Sequence, residues 1–327
     1  MKTIGLVARR AFCLSMIAAL LAAACSSGAI AAADENASDR LPDSMTVANY
    51  NRITGQTTYR EIDLRPYQKS AEQNGETISV VPACQPDASA AEERVSEQGQ
   101  DTRAISSWNT AGNINALPHS AVVTCCVSYQ DDINIYTATG FIVGPDVILT
   151  AAHVFFGSKA GEVVDGVTIY RQQNSGTLDT TKLEPWTSCH YPENYPTTYS
   201  SNADWAIVIM QNNLQATCGC FGFGTAESIS NKSVSLSGYP TDTKYWQKYA
   251  TGGAMDSSGD YRMKHDYEPF QGHSGSPLYD SDNIAWGIHT TSASWLVRAS
   301  GIRLYRALFD MIVENVEAGR LKYGYTS

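Results

Sequence analysis

The sequence predicts an all-β domain that ends in one α-helix. Short runs rich in β-branched and aromatic residues begin after Ser120, and turn residues such as Gly144-Pro145-Asp146 separate them. No helical segments alternate with these runs, which favours a barrel or a sandwich over a parallel sheet. Near the end of the chain, apolar residues recur at helical spacing from Leu304 to Val316 and predict an amphipathic helix packed on the β-domain.

The apolar runs place the individual strands in chain order. We expect strands at residues 121–127, 136–143, 147–150, 205–210, 233–236 and 284–289. A weaker alternation of apolar and polar residues between Thr46 and Leu64 predicts one or two more.

The first residues have the pattern of an export signal. Basic residues precede an apolar stretch, 11–24, that is too short to span a bilayer comfortably, and small residues follow it. We therefore predict a signal peptide over residues 1–33 and a secreted, extracellular protein. Cys25 also permits lipidation and a lipid-anchored cell-surface form, although Ala22 is smaller than the residue usual at that place.

The segment 34–103 is polar and acidic, and Gln, Ser, Ala and Glu dominate its second half. In an exported protein this composition is typical of a partly disordered prosegment, and a disordered N-terminal extension is the alternative. Residues 104–327 are expected to form the folded domain.

The charge balance limits the partners of the chain. Its net charge is −10 at pH 7, so we expect no nucleic-acid partner and no attraction to anionic lipid. The apolar content of 43% is sufficient for a sizeable core.

The cysteines indicate disulfides. Two of the eight lie in the export signal, and six remain, which is an even number. Zinc is disfavoured because Cys125 and Cys126 are adjacent and Cys218 and Cys220 are too closely spaced. The connectivity stays open, and Cys189 is a plausible partner for Cys218 or Cys220.

Three short motifs indicate nucleophilic catalysis. His153 ends an apolar strand, Asp204 precedes another, and Ser274 lies in the Gly-bounded loop Gly272-His273-Ser274-Gly275. Each alone would be a structural or turn residue. Together, in the order His, Asp, Ser and separated by 51 and 70 residues, they match the trypsin-like triad and differ from the subtilisin and α/β-hydrolase orders.

The residue types explain the expected chemistry. A serine hydroxyl needs a base to accept its proton, which His153 would supply, and Asp204 would fix the imidazole tautomer. The backbone N–H groups of Gly272 and Ser274 would form the oxyanion hole. Ser276 is given no chemical step.

Four motifs carry a resemblance to a known family. They are Thr139-Gly140-Phe141-Ile142-Val143-Gly144-Pro145 with Ala151-Ala152-His153, Cys220-Phe221-Gly222-Phe223-Gly224, Leu236-Ser237-Gly238-Tyr239-Pro240 and Gly272-His273-Ser274-Gly275-Ser276-Pro277. Through them the chain resembles trypsin-like serine proteases, and more closely the bacterial glutamyl endopeptidases. The resemblance implies two antiparallel β-barrels of the trypsin-like type and cleavage after glutamate or aspartate.

The resemblance also implies a specificity pocket. Its wall histidine would be His289, with Thr290 beside it as a substrate-binding residue. Two positions depart from the family pattern: Pro269 stands where a pocket threonine is usual, and the bulky Phe270 follows it. The alternative for His289 is simple packing within a buried strand.

The resemblance further predicts how the enzyme matures. The residue before the nucleophile is His273, not the aspartate that pairs with the new N-terminus of trypsin, and Val154 stands where trypsin has a disulfide cysteine. In the glutamyl endopeptidases the mature N-terminus lies near the specificity pocket. We predict cleavage between Arg103 and Ala104, with the Ala104 amino group helping to hold the substrate carboxylate.

The sequence thus predicts a secreted serine endopeptidase acting on protein or peptide substrates, monomeric, with no metal and no cofactor. Two alternatives remain: a barrel-based binding or toxin-like protein in which proteolysis is lost or restricted, and an esterase, which the order of the triad disfavours.

Overall fold

The computed structural model describes residues 40–68, 78–86, 107–130, 132–162, 164–291 and 298–325. The predicted signal peptide, Cys25 and the expected cleavage point at Arg103 lie outside these residues.

Eighteen strands are formed by the described residues. They are β1 Ser44–Asn51, β2 Gln56–Asp63, β3 Ser79–Val81, β4 Asn109–Thr110, β5 Val122–Tyr129, β6 Ile135–Gly144, β7 Val147–Thr150, β8 Val164–Arg171, β9 Leu183–Glu184, β10 Trp186–Pro192, β11 Ala206–Met210, β12 Gly222–Thr225, β13 Lys232–Gly238, β14 Lys248–Ser258, β15 Arg262–His265, β16 Pro277–Tyr279, β17 Ile284–Thr291 and β18 Ala299–Arg303.

Helices are few and short except for the last. The α-helices of the described residues are α1 Arg65–Gln68, α2 His153–Phe156, α3 Tyr195–Thr198, α4 Gln215–Cys218 and α5 Arg306–Tyr323. Single 3₁₀ turns occupy His119–Ala121, Thr180–Lys182, Ser201–Ala203 and Thr241–Thr243.

The strands form two sheets. The first has the order β2-β1-β10-β11-β7-β6-β5-β8-β9, and all its neighbouring pairs are antiparallel. The second has the order β16-β13-β14-β15-β18-β17-β12-β3, and a further pairing of β16 with β17 closes six of its strands into a barrel. Closure satisfies the edge hydrogen bonds of those six strands.

The apolar runs form the strands that we predicted from them. β5, β6, β7, β11, β13 and β17 fall on the expected segments, and each buries most of its side chains. The weak alternation after Thr46 becomes the hairpin of β1 and β2. Strands that we did not predict include β14, whose sequence is rich in Gly, Ser and Ala and therefore carries little apolar signal.

The predicted C-terminal helix is α5, which begins two residues later than expected and continues to Tyr323. Its buried face includes Leu308, Ile312 and Val316, which belong to the same core as Phe141 and Trp205. The prediction of an all-β fold with a terminal helix is therefore confirmed.

Residues 40–68 and 78–86, which lie in the segment interpreted as a prosegment, pair with both sheets. β1 extends the first sheet by pairing with β10, and β3 extends the second by pairing with β12. Arg60 of β2 also forms an ion pair with Glu314 of α5 at 2.6 Å.

Candidate active site

His153 and Asp204 meet because adjacent strands end and begin at the same place. β7 is antiparallel to β11, with Thr150 opposite Ala206, so the chain leaving β7 passes the residues that enter β11. Asp204 accepts two hydrogen bonds from His153: Nδ1 lies 2.8 Å from Oδ2, and the backbone N–H lies 2.9 Å from Oδ1. Two contacts to one carboxylate fix both the position and the orientation of the imidazole.

The surroundings of His153 favour its protonated form. Burial lowers the pKa of His153. The charge of Asp204 and the hydrogen bond to it raise that pKa by more than burial lowers it, so the net pKa lies above the ordinary value. The ring keeps 17% side-chain exposure, so Nε2 remains available to a partner on the open side.

The loop of Ser274 is hydrogen-bonded to β6, which pairs with β7, the strand that leads to His153. Thr139 of β6 donates from its N–H to the Ser274 carbonyl at 2.8 Å and from Oγ1 to the Gly272 carbonyl at 2.8 Å. Gly275 has a φ of +87°, and a Cβ there would overlap the Thr139 carbonyl and the Thr150 hydroxyl. The serine loop therefore packs against Thr150, which lies three residues before His153 in the chain.

The side chain of Ser274 is half-buried, and among the described residues His153 directs its hydrogen bonds to Asp204 and none to Ser274. Hydrogen bonds between nucleophile and base are often long in unliganded enzymes and tighten when substrate binds.

Two backbone N–H groups of the loop are unused. Within the described part of the chain, the hydrogen-bonded N–H groups of this loop are those of His273, Gly275 and Ser276, whereas those of Gly272 and Ser274 donate to no protein acceptor. Gly272 has a φ of +101°, and a Cβ there would overlap the Tyr239 carbonyl, so glycine is required.

His289 lies in β17, on the opposite side of the same loop. Its N–H donates to the Ser276 carbonyl, and its carbonyl accepts from the Gly275 N–H, both at 2.8 Å. The side chain is 1% exposed, and its Nδ1 lies 3.0 Å from Nε2 of His265 in β15. Burial first, and then nearby imidazole and guanidinium groups, lower the pKa of His289 well below its usual value, so the ring is neutral.

Thr290, the residue after His289, is held by Arg262. The guanidinium of Arg262 donates to Thr290 Oγ1 at 3.5 Å and to the Ser201 carbonyl at 2.6 Å, and it also contacts the Ser300 hydroxyl. Its positive charge contributes to the lowered pKa of His265 and of His289. Arg262 therefore links the wall of the predicted pocket to the turn that precedes Asp204.

The segment before Ser274 is aromatic. Phe270 is 48% exposed, and its ring packs against Trp108 and His273, with centroid distances of 6.3 and 6.4 Å. The Trp108 and His273 rings are 4.3 Å apart, and Pro269 is buried. Phe270 thus packs against Trp108, a residue that follows shortly after the expected cleavage point at Arg103.

Three residues near this site were missed by the sequence reasoning. His265 and Arg262 lie in β15, a four-residue strand with alternating burial, and Trp108 lies between the strands predicted at 46–64 and at 121–127. A buried histidine at one end of a short strand has no local pattern that distinguishes it, so only its contact with His289 indicates a role.

The chain is similar to known peptidases. Residues 138–288 match the model of the trypsin-like peptidase domain family. The glutamyl endopeptidase of Bacillus licheniformis is 24% identical over 172 residues, which are 52% of this chain and 52% of that protein. A Bacillus subtilis protein named extracellular metalloprotease is also 24% identical, over 55% of this chain and 58% of its own.

A solved structure gives the same fold. A Glu endopeptidase structure superposes with a TM-score of 0.57 at 18% identity, over 66% of this chain and all of the other. The trypsin-like fold prediction is therefore confirmed. The chain spans little more than half the length of the curated relatives named above. Residues 138–288 are thus similar to the trypsin-like peptidase domain family, and about half of the chain is similar to the glutamyl endopeptidases.

Proposed function

We propose that this protein is a serine endopeptidase that cleaves peptide bonds through an acyl-enzyme, with His153, Asp204 and Ser274 as its catalytic triad. The observation that carries the proposal is the double hydrogen bond from His153 to Asp204, at 2.8 and 2.9 Å, beside the loop of Ser274. An imidazole so oriented, with a raised pKa, is suited to accept the serine proton and return it to the leaving amine.

The chemical steps use the groups already described. The Ser274 hydroxyl attacks the substrate carbonyl while His153 takes its proton, and the resulting imidazolium is stabilised by Asp204. The free N–H groups of Gly272 and Ser274 receive the developing oxyanion, a contribution of about 10²–10³ in turnover for one donor. Water then hydrolyses the acyl-enzyme by the same sequence of proton transfers.

The preferred residue before the scissile bond is proposed to be glutamate, with aspartate as the related choice. When His265 donates from Nε2 to Nδ1 of His289, the His289 proton stays on Nε2, where it can donate to a carboxylate. Thr290, the next residue, offers a hydroxyl group. Arg262 donates a hydrogen bond to that hydroxyl, and its positive charge contributes to the lowered pKa of His289. A neutral donor is sufficient, since a hydrogen bond to a charged group contributes about 1.5–3 kcal/mol.

Maturation is proposed to occur between Arg103 and Ala104. Ala104 lies four positions before Trp108, so its Cα can be at most about 14 Å from the Cα of Trp108, whose ring packs on His273. This placement supports an N-terminus close to the pocket. N-terminal sequencing of the exported protein tests it, and a start far from Ala104 contradicts it.

Export through a signal peptide over residues 1–33 also remains a proposal, as do the acidic prosegment over 34–103, the monomeric state and the minor alternative of lipidation at Cys25. Among the described residues, the helices are too short or too polar to cross a membrane.

A fluorophosphonate probe tests the reaction, because it labels a serine only when the serine is activated. We expect labelling of the full chain and its loss in Ser274→Ala. Ser276→Ala is the matched control, since Ser276 is a buried hydroxyl of the same loop without a hydrogen-bond partner among the described residues, and it should still be labelled. Absence of labelling in the parent protein would favour a binding function.

A peptide-library digest tests the specificity. We expect cleavage mainly after glutamate, with aspartate second. Cleavage mainly after lysine, arginine or large apolar residues would contradict the role of His289 and leave the triad untouched.

A further inference from the structure

The segment that contains Cys84 runs as an added strand along the second sheet. β3 pairs with β12, with Val81 opposite Phe223 and Ser79 opposite Thr225. Beyond the end of β3, Cys84 and Cys220 form an isolated antiparallel bridge in which each N–H donates to the other's carbonyl, at 3.0 and 2.7 Å. Cys84 is therefore held directly opposite Cys220.

Two glycines fix this approach. A Cβ on Gly219 would collide with the Cys84 carbonyl and with Pro86, and one on Gly222 would overlap the Val81 carbonyl. The backbone of residues 81–86 occupies the space that side chains at positions 219 and 222 would fill. If β3 shifted its register against β12, that backbone would meet residues that carry side chains. The close packing at Gly219 and Gly222, on either side of Cys220, thus holds Cys84 in register with Cys220.

The geometry of the pair suits a disulfide. Directly opposed residues of such an antiparallel bridge have Cα atoms about 5.5 Å apart, within the range of about 4.4–6.8 Å that disulfides span. A hydrogen-bonding interaction with the Cys220 thiol is the first cause of the lowered pKa of Cys84, so the two side chains adjoin. Both are thiols in this structure.

The other buried cysteines are placed differently. Cys189, which the sequence offered as a partner for Cys218 or Cys220, lies opposite Tyr50 of β1 and Val208 of β11. Cys125 and Cys126 are consecutive in β5 and therefore point to opposite faces of the sheet.

The two thiols also differ in reactivity. The hydrogen bond from Cys220 and, after the opposing effect of burial, the charge of Arg320 lower the pKa of Cys84 to about 6. That hydrogen bond and burial raise the pKa of Cys220, whose residue is 3% exposed. Cys84 is half-buried, so it is the accessible thiolate and the one that reacts first.

We propose that Cys84 and Cys220 form a disulfide that fastens residues 40–86 covalently to the trypsin-like domain. A cut anywhere in residues 87–106 then yields two chains that remain one molecule. The hairpin of β1 and β2 and the strand β3 remain covalently attached to the mature enzyme under oxidising conditions. A reductant breaks the disulfide and removes this covalent attachment.

The reaction is a pair of thiol–disulfide exchanges with an organic disulfide as oxidant. The Cys84 thiolate attacks one sulfur of the oxidant, which breaks its S–S bond, releases one thiol and leaves a mixed disulfide on Cys84. Cys220 then loses its proton and attacks the Cys84 sulfur, which releases the second thiol. Two protein thiols are oxidised, one external disulfide is reduced to two thiols, and the two protons pass to the leaving groups.

Peptide mapping of the full chain carrying Ser274→Ala tests the proposal without self-cleavage and without dependence on activity. After exposure to oxidised glutathione, alkylation and non-reducing trypsin digestion, we expect peptide 70–94, which contains Cys84, linked to peptide 183–232, which contains Cys220. Because the second peptide also contains Cys189 and Cys218, single Ser variants assign the link. It should persist in Cys189→Ser and Cys218→Ser and disappear in Cys84→Ser and Cys220→Ser.

A brief trypsin treatment of the oxidised folded protein, which offers Arg94 and Arg103 for cleavage, adds a second measurement. A denaturing gel should show one species without reductant and two fragments with it. Alkylation of both Cys84 and Cys220 after oxidation, a link that requires Cys189 or Cys218, or separation of the fragments without reductant would each overturn the proposal. Fragmentation of the linked peptides from the parent protein, which locates the bonded cysteine within peptide 183–232, decides the matter even when a cysteine variant does not fold.

Discussion

The histidine after β7 and the histidine in β17 lie in opposite electrostatic surroundings. His289 is fully buried and His153 is mostly buried, but His153 faces the carboxylate of Asp204, whereas His289 faces the imidazole of His265. The pKa of His153 is raised and that of His289 is lowered, although burial lowers the pKa in both cases.

The difference shows that the partner, and not burial, decides what a buried histidine can do. A carboxylate at 2.8 Å offsets the loss of solvation and makes His153 a base that can hold a proton. Without a carboxylate, His289 stays neutral and can serve as a hydrogen-bond donor to an anionic substrate group. The same residue type is thus suited to two different proposed functions.

The largest expected effect comes from removing the carboxylate. In Asp204→Asn, kcat should fall by about 10⁴-fold, because the imidazole loses the partner that sets its tautomer and stabilises its charge. The parent enzyme should lose kcat/KM as the pH falls through the raised pKa of His153, above about 6.5. In the variant this acid limb should move to lower pH, since the effect of burial is then opposed only by the charge of Glu162, the smallest of the causes that raise the pKa of His153.

The measurement is a pH profile of kcat/KM with circular dichroism as a check on folding. Asp282→Asn, on an exposed turn, is the control and should behave as the parent. A loss of less than tenfold in Asp204→Asn would contradict the assignment.

The next effect concerns His289. In His289→Leu, which removes the donor, the ratio of kcat/KM for a glutamate substrate to that for a matched leucine substrate should fall by about ten- to a hundredfold, which corresponds to about 1.5–3 kcal/mol for a hydrogen bond to a charge. His190→Leu, at a half-buried histidine of β10, should leave the ratio unchanged. An unaltered ratio in His289→Leu would assign the residue to packing only.

A third histidine extends the comparison to stability. His119 is buried against Tyr249 with Nδ1 unpaired, and burial lowers its pKa to about 4. Because the folded pKa lies below the unfolded value of about 6.5, its contribution is complete above pH 6.5 and is lost as the pH falls toward 4. Between pH 8 and pH 5 the loss is about 2 kcal/mol, or about thirtyfold in the unfolding constant.

Urea unfolding in the Ser274→Ala background measures this dependence. His119→Gln should lose about 2 kcal/mol less than its parent between pH 8 and pH 5. Tyr249→Phe alters the neighbouring ring without removing the titrating group, so its pH dependence should match the parent. Equal slopes in all three proteins would mean that His119 titrates alike in the folded and unfolded states.

The smallest effect is expected at His265, which acts through His289. In His265→Phe, the glutamate-to-leucine ratio should fall by about three- to tenfold, as for one neutral hydrogen bond. His265→Gln retains a group able to donate and should restore part of the ratio. A fall in overall activity with an unchanged ratio in both variants would indicate a structural role only.

The sequence by itself was sufficient for the parts of the protein that depend on local pattern. Runs of apolar residues between turns specified β5, β7 and β11 because a strand buried on both faces needs such a run. The order and spacing of His153, Asp204 and Ser274 indicated the chemistry, because the three short motifs together match the trypsin-like order although none of them is diagnostic alone.

The tertiary structure decided the features that depend on residues far apart in the chain. His265 meets His289 only because β15 and β17 both pair with β18, and Cys84 meets Cys220 only because β3 pairs with β12, across 136 residues. Closure of the second sheet likewise required the pairing of β16 with β17. A charge state or a contact is a property of the neighbours that folding brings together, and sequence spacing alone carries no record of them.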